Sequence, residues 1–468
     1  MPKITFMGAG STVFVKHIIG DSMLSPALCG SEVALYDIDA TRLKESLSML
    51  QTLNENVNRG RTRLKGYLGT KNRKAALKDA DYVVNAIQVG GYEPSTVIDF
   101  EIPKKYGLRQ TIADTLGIGG IFRALRTIPV MLDFARDMEQ VCPGALFLNY
   151  TNPMAMLTSA TLRGSSIRSV GLCHSVQGCA WDLLRELGMT VDVKRTRWKV
   201  SGINHMAWLL ELKEGDNDLY PEIKRRAAAA LDRIHKTKGG PKAVLELAGR
   251  KAKKLGKAVR DIPGDHHIAG DMIRLTMMLN FGYYITESSE HNAEYTPYWI
   301  KANFPDLVGK FNIPLDEYPR RCVEQIEKWK TQNKEMVGNK KLSHTRGGEY
   351  ASRIMEAVET DIPFRIHGNV MNTGLISNLP AKACVEVPCM VDRNGINPCY
   401  VGNLPEQCAA LNQTNINVQI LAVEAALEKN REKIYQAAFL DPHTSGELTL
   451  NKIKALCDDL IKSHGIRF

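Results

Sequence analysis

The chain has 468 residues, of which 44% are hydrophobic and 24% charged, and a formal net charge of +10. That length buries a sizeable core and divides into two or three domains, and no apolar run nears the roughly 20 residues that a membrane helix needs. The ten cysteines lie singly, without disulfide-framework or CxxC spacing, and Met1-Pro2-Lys3 runs straight into a strand, so the expected setting is reducing and cytoplasmic.

Lys3 to Met7 reads as a short apolar strand, and Gly8-Ala9-Gly10-Ser11 as the turn after it. Such a turn brings backbone close to a pyrophosphate, and the helix that follows aims its free N–H groups at it. Val13 stands where the full fingerprint has its third glycine. A second strand, Glu32 to Tyr36, ends in Asp37, placed for a ribose hydroxyl. Strand, glycine turn, helix, strand and acid form the order of a dinucleotide-binding unit, and the acid favours NAD over NADP.

Further strands are predicted at Tyr82 to Ile87 and at Leu146 to Leu148, followed by the turns Gln88 to Tyr92 and Asn149 to Met154. Between them, Asp114 to Gly120 opens a long amphipathic helix. The strand at Ser169 to Leu172 ends in Cys173-His174-Ser175, before a helix at Val176 to Leu187. A thiol and an imidazole thus stand side by side at a strand end, where α/β proteins build their sites. The fold class expected is α/β: a Rossmann-like, doubly wound parallel domain over residues 1–175, then an α+β substrate, metal-binding and oligomerisation domain over 176–468, as in lactate and malate dehydrogenases.

In the second part, Trp198 to Glu211 reads as strands interrupted at Asn204-His205, whose imidazole joins Cys173 as a pair suited to a borderline divalent metal. A basic insertion at about 231–273 follows. Within it, Leu231 to Arg260 holds ten Lys/Arg against two Asp/Glu. No aromatic residues interleave there for base stacking, so a nucleic-acid partner is not expected. Next, Phe281 to Asn292 offers Tyr283, Tyr284, Glu287, Glu290 and His291 for acid/base work. Helices are predicted at Glu317 to Thr331, Gln407 to Ala437 and Leu448 to His464, with strands from Leu379 to Asp392.

The Gly-Ala-Gly-Ser turn, the Asn149-to-Pro153 turn, Cys173-His174-Ser175-Val176 and Gly202-Ile203-Asn204-His205, in this order, resemble the NAD- and metal-dependent glycosidases of glycoside hydrolase family four. The resemblance runs essentially end to end. With the Thr286-to-Asn292 run it is closest to the family's bacterial α-galactosidase branch. Relatives acting on 6-phosphosugars carry Asn or Asp where this chain has His174.

The resemblance implies NAD-assisted oxidation at sugar C3, elimination across C1–C2, addition of water and re-reduction, outside the two-carboxylate scheme of most glycosidases. It makes Cys173 and His205 the ligands of a divalent metal, usually Mn²⁺, and His174 the acid at the leaving group. Gln88, Asn152 and Asn204 become substrate contacts, and Asp114 an acidic group beside the metal. For the base at C2 it offers Glu287, with Tyr283 and Tyr284 as alternatives. It implies an α-galactoside oligosaccharide as substrate and a homodimer or homotetramer. Open alternatives are α-glucosides or α-hexuronides, a 2-hydroxy acid dehydrogenase, and a sugar-binding regulator that responds to NAD without turnover.

Overall fold

The computed structural model describes residues 1–467. Six strands, β1 (Lys3–Met7), β2 (Glu32–Asp37), β3 (Arg63–Leu68), β4 (Tyr82–Asn85), β5 (Leu146–Asn149) and β6 (Arg168–Leu172), pair in parallel. Their order, β3-β2-β1-β4-β5-β6, is that of the doubly wound dinucleotide fold. The four central strands are apolar because helices cover both faces of the sheet. β1 and β4 bury Ile4, Phe6, Val83 and Val84 completely. The edge strand β3, Arg-Leu-Lys-Gly-Tyr-Leu, has no fully buried residue, and its weak apolar pattern explains why no strand is expected there from sequence.

Two further groups of strands follow. β7 (Thr196–Ser201), β8 (Trp208–Glu214), β9 (Asn217–Asp218) and β10 (Tyr284–Ile285) make a small antiparallel sheet of their own. β11 (Phe364–Met371), β12 (Cys384–Asp392) and β13 (Gly395–Pro398) continue from β6 in antiparallel fashion, giving a nine-stranded sheet. The two sheets are joined where Gly202 and Glu386 exchange backbone hydrogen bonds of 3.1 and 2.8 Å. That bridge fixes the turn after β7, which carries His205.

The expected helix from Gln407 to Ala437 is two helices, Glu406–Glu428 and Arg431–Leu440. Lys429 turns left-handed at φ 53°, and the Asn430 side chain caps the second helix by accepting from Glu432 N–H. Asn is among the best residues for that task. The first of the two helices reaches the site region: Asn412 donates to Met206 O at 2.8 Å and Asn415 to Tyr295 O at 3.1 Å.

The segment before the helix Tyr350–Thr360 is tied to the helix Thr12–Met23 by Asp21. This buried carboxylate accepts from His344 Nε2 and Gly347 N–H, both at 2.7 Å, and from Ser352 at 3.4 Å. Burial pushes Asp21 up, but these donors outweigh it and hold it below its ordinary 3.8. Its stabilisation is therefore complete above pH 3.8 and is lost as the pH falls through the depressed value. Asp21→Asn is expected to cost about 2 kcal/mol at neutral pH. In urea unfolding at pH 7 and pH 3 the difference between parent and variant should shrink at the lower pH; a constant difference would show that the carboxylate's charge is not what matters.

Candidate active site

The glycine turn is built for close approach. Gly8 has φ 85°, and a Cβ there would lie 2.8 Å from Ala86 O, so only glycine lets the turn sit on the backbone after β4. A Cβ on Gly10 would meet Asp37 Oδ2 at 2.9 Å. Asp37, at the end of β2, accepts from Gly10 N–H at 2.6 Å. Ala9 is fully buried, while Ser11 precedes the helix Thr12–Met23 without capping it by its side chain. The first N–H groups of that helix are thus open toward the turn, the arrangement that receives a pyrophosphate. The residues present fit a dinucleotide.

Some distance along the same strand-end edge, four segments converge. Cys173 follows β6, His205 lies in the turn between β7 and β8, Glu287 follows β10, and Asp114 precedes the helix Gly117–Val141. Ligand atoms of Cys173, His205 and Glu287 lie within 4.8 Å of one another, and so do those of Asp114, His205 and His291. His205 Nε2 is 3.4 Å from Glu287 Oε2, and His291 stands 3.6 Å from Glu287 Oε1 and 3.7 Å from Asp114 Oδ1. Pairing of β10 with β8, reinforced by Thr286 N–H to Ala207 O at 2.8 Å, places Glu287 beside His205. Both residues have left-handed backbone, φ 65° for His205 and φ 66° for Glu287. Side chains with a Cβ seldom adopt it, and such strain concentrates at sites.

The electrostatics of this cluster call for a cation. Burial alone would lower the His205 pKa, yet Glu287, Cys173 and Asp114 around it push it up to about 10. Burial likewise opposes ionisation of Glu287 and Asp114, but His205 and His291 hold Glu287 below its ordinary value, and His291, Arg123 and His205 hold Asp114 below its own. A pocket that keeps two carboxylates ionised and draws a proton onto a buried imidazole suits a divalent ion in that proton's place. A thiol, imidazoles and carboxylates form the donor set of a borderline metal. The residues present fit one.

The remaining candidates lie apart from one another. Asn152 donates to Asp114 Oδ2 at 3.3 Å, and its own Oδ1 is buried without a protein partner. Asn204 is fully buried, with neither amide atom partnered, beside Glu386, which burial pushes up to about 7. Gln88 is exposed on the turn after β4. His174 pairs with Glu349, its Nε2 2.9 and 3.0 Å from the two carboxylate oxygens. That hydrogen bond raises the His174 pKa against the effect of burial, and Tyr150 and Phe14 flank the ring, with centroids 5.8 and 6.1 Å away. The two tyrosines are not brought to the cluster in the same way as Glu287. The Tyr284 hydroxyl donates to Asp271 at 2.6 Å in a buried group with Arg274, and Tyr283 packs edge-on against Tyr220.

Three residues enter the site without having been singled out for these contacts. His291 lies within the polar run but gains its place only through the turn that follows Glu287. Glu349 is far from His174 along the chain, and no local pattern links them. Glu294 accepts from Thr111 and Ala113 N–H at 2.8 and 2.7 Å, and from Ile112 N–H at 3.3 Å. It clamps the 111–114 segment to the 287–294 segment. Gly119 and Gly120 complete the seat, since a Cβ on either would fall 2.6 Å from a carbonyl oxygen, of Ala113 or Thr115. Burial pushes Glu294 up to about 7, opposed by the backbone donors.

The sequence matches the family 4 glycosyl hydrolase model over residues 3–189 and that family's C-terminal domain model over residues 200–444. The chain belongs to glycosyl hydrolase family 4. It is 57% identical over 465 residues to an alpha-galactosidase of Bacillus subtilis, covering 99% of this chain and 98% of that one. It is 33% identical to an alpha-galactosidase of Rhizobium meliloti, covering 98% and 87%. Among solved structures, lplD from Bacillus subtilis superposes with a TM-score of 0.81 at 24% identity, covering 98% of this chain and 99% of that one. A 6-phospho-alpha-glucosidase from gut microorganisms, in complex with NAD and Mn²⁺, gives 0.75 at 21% identity, covering 99% and 98%. These two likenesses establish the shared fold.

The clamp carries a prediction. Glu294→Gln leaves every candidate ligand in place but puts an amide where three N–H groups converge. Mn²⁺ affinity, read by electron paramagnetic resonance titration, is expected to fall about 10- to 100-fold, as for loss of other supporting partners. Unchanged affinity would show that Asp114 and His291 do not depend on the clamp.

Proposed function

We propose that this chain hydrolyses terminal α-galactosides with NAD⁺ and a divalent metal, Mn²⁺, as cofactors, and that no net oxidation results. The observation that carries the chemistry is the convergence of Cys173, His205, Glu287, Asp114 and His291 on the edge that also bears the glycine turn. The choice of sugar rests on the relative at 57% identity, named an alpha-galactosidase and matched end to end. Bound NAD⁺ supplies reversible hydride transfer at sugar C3, and a metal held by Cys173 and His205 supplies a positive charge for the sugar's C2 and C3 oxygens.

The chain's own residues do the proton work. Once C3 is a ketone, the C2 proton is acidic, and a Glu287 carboxylate oxygen receives it. Glu287 suits this role because it stays ionised, whereas burial and Asp271 commit Tyr284 to its neutral form. His174, held by Glu349 in its proton-carrying form, delivers a proton to the glycosidic oxygen as the C1–O bond breaks. Asp114 and Asn152, joined at 3.3 Å, present acceptor and donor groups to the sugar hydroxyls, with Gln88 and Asn204 as further contacts. After water adds at C1, the same groups run in reverse.

Among the arginines that a uronate site would call on, Arg109 pairs with Asp316 and Arg365 lies over Trp198. Arg123 does adjoin the site, but it is spent on Asn152 O and the Tyr318 hydroxyl and balances Asp114. This favours a neutral sugar. Residues 1–175 act in this reading as the NAD-binding unit and 176–468 as the substrate, metal and oligomer unit. A homodimer or homotetramer would cover the helix Glu317–Met336, where Val323 and Ile326 are exposed. A cytoplasmic location accords with ten unpaired cysteines and with the finding that, among the described residues, no helix is long and apolar enough to cross a membrane.

The test is hydrolysis of p-nitrophenyl α-galactoside with NAD⁺, Mn²⁺ and a thiol reductant supplied or withheld, beside the α-glucoside and α-galacturonide analogues. Release should require both cofactors, prefer the galactoside and leave no NADH. Release without NAD⁺ would refute the chemistry, and NADH accumulating on a hydroxy acid would make the chain a dehydrogenase. A second prediction isolates His174. His174→Ala should cost roughly 100-fold or more on melibiose and at least about 10-fold less on the p-nitrophenyl substrate, whose leaving group needs little protonation. Equal losses on both would assign the acid elsewhere.

A further inference from the structure

The basic insertion has no part in the chemistry above, yet its residues are not merely a solvated arm. The helix Tyr220–Lys236 and the stretch from Arg260 to Ile268 pack beside the end of the helix Ser175–Glu186. Together they border a cavity of about 640 Å³ that shares no residue with the catalytic cluster. Five arginines line it: Arg185, Arg225, Arg226, Arg233 and Arg260.

The partners of these arginines leave the cavity positive. Arg225 and Arg226 bind Glu222, and Arg185 binds Asp182, and neither acid lines the cavity. Two lining acids balance the others: Asp265 receives both arms of Arg233, at 3.0 and 2.8 Å, and Asp261 stands 3.8 Å from Arg260. The third lining carboxyl, Glu186, is pushed up by burial and by the nearby Asp271, which favours its neutral form. Five guanidinium groups are therefore set against four carboxylates, two of them outside the cavity wall, which leaves a positive excess, and Arg233 and Arg260 come from the stretch whose sequence carries eight excess positive charges. Guanidinium groups offer paired, planar donors that match oxyanions bidentately, and the volume lies in the range of small-molecule sites.

We propose that this cavity is a binding site for a small, soluble oxyanion of at least two charges, of the phosphate-ester or diphosphate class. Its inner wall also has a route to the catalytic run. Glu186 neighbours Asp271, which accepts from Ser289 Oγ at 3.0 Å, two residues from both Glu287 and His291.

The experiment is calorimetric titration of the full chain with inorganic pyrophosphate at fixed ionic strength. Chelator is present so that metal does not compete, and saturating NAD⁺ is present so that the glycine turn is occupied. The comparison is the double variant Arg185→Gln/Arg260→Gln, chosen because both side chains are largely exposed, at 65% and 88%, and the fold does not rest on them; equal melting temperatures verify that. Saturable one-to-one binding in the parent, weakened at least about 10-fold in the variant, is the expected result. Equal binding in both would put the anion elsewhere, at the glycine turn included, and overturn the proposal, as would the absence of saturable binding. The readout is independent of glycoside turnover, so failure of the hydrolase reading would leave it intact.

Discussion

The constraint on which the site depends is the confinement of two carboxylates and a thiol around one buried imidazole. Asp114, Glu287 and Cys173 all press on His205, and the first two stay ionised despite burial. Isolated charges do not survive in such surroundings. They persist here because each has a cationic or hydrogen-bonding neighbour and because the backbone holds them there at some cost. Left-handed residues at Ala113, His205 and Glu287 bring three chain segments to one point, and each such residue costs of order 1–3 kcal/mol that the surrounding packing must offset.

The fold supplies that packing from several directions. The parallel sheet delivers the glycine turn, the Asn149 turn and Cys173 to one edge. The antiparallel strands β11 and β12 extend the sheet past β6, and the bridge between Gly202 and Glu386 locks the small sheet against them. β10 then hangs from β8 and carries Glu287 to His205. Asn412 and Asn415 hold the same region from below through backbone carbonyls. The positions of the candidate site residues thus follow from strand pairing together with side-chain clamps such as Glu294.

Much of this was legible in the chain. β1, the glycine turn, the next helix, β2 and Asp37 follow one another in the order that the dinucleotide fold demands. Cys173 stands out because it directly follows an apolar strand, and His205 because it lies in the turn that interrupts the strand-forming stretch Trp198 to Glu211. What stayed hidden depends on contacts between distant segments. Glu349 meets His174 across 175 residues. Glu294 reads as an ordinary acid after a short helix until the amides of residues 111–113 are brought to it. The antiparallel strand Phe364–Met371 gives little local sign of joining a parallel sheet, and the break at Lys429 is set by backbone conformation inside an otherwise continuous helical pattern. The same distinction separates Glu287 from its neighbouring tyrosines, since a shift of a few residues along one polar run decides which side chain faces the cluster.

The most direct test of the account is the fate of the C2 hydrogen. If Glu287 removes the C2 proton and the product is re-formed by protonation from an exchangeable group, hydrolysis of an α-galactoside in D₂O, with NAD⁺ and Mn²⁺, gives galactose carrying deuterium at C2. Nuclear magnetic resonance or mass spectrometry of the product reads it. Deuterium at C2 in the parent enzyme is the predicted result. Galactose released at full rate with its C2 hydrogen unexchanged would contradict proton removal by this cluster and with it the role assigned to Glu287.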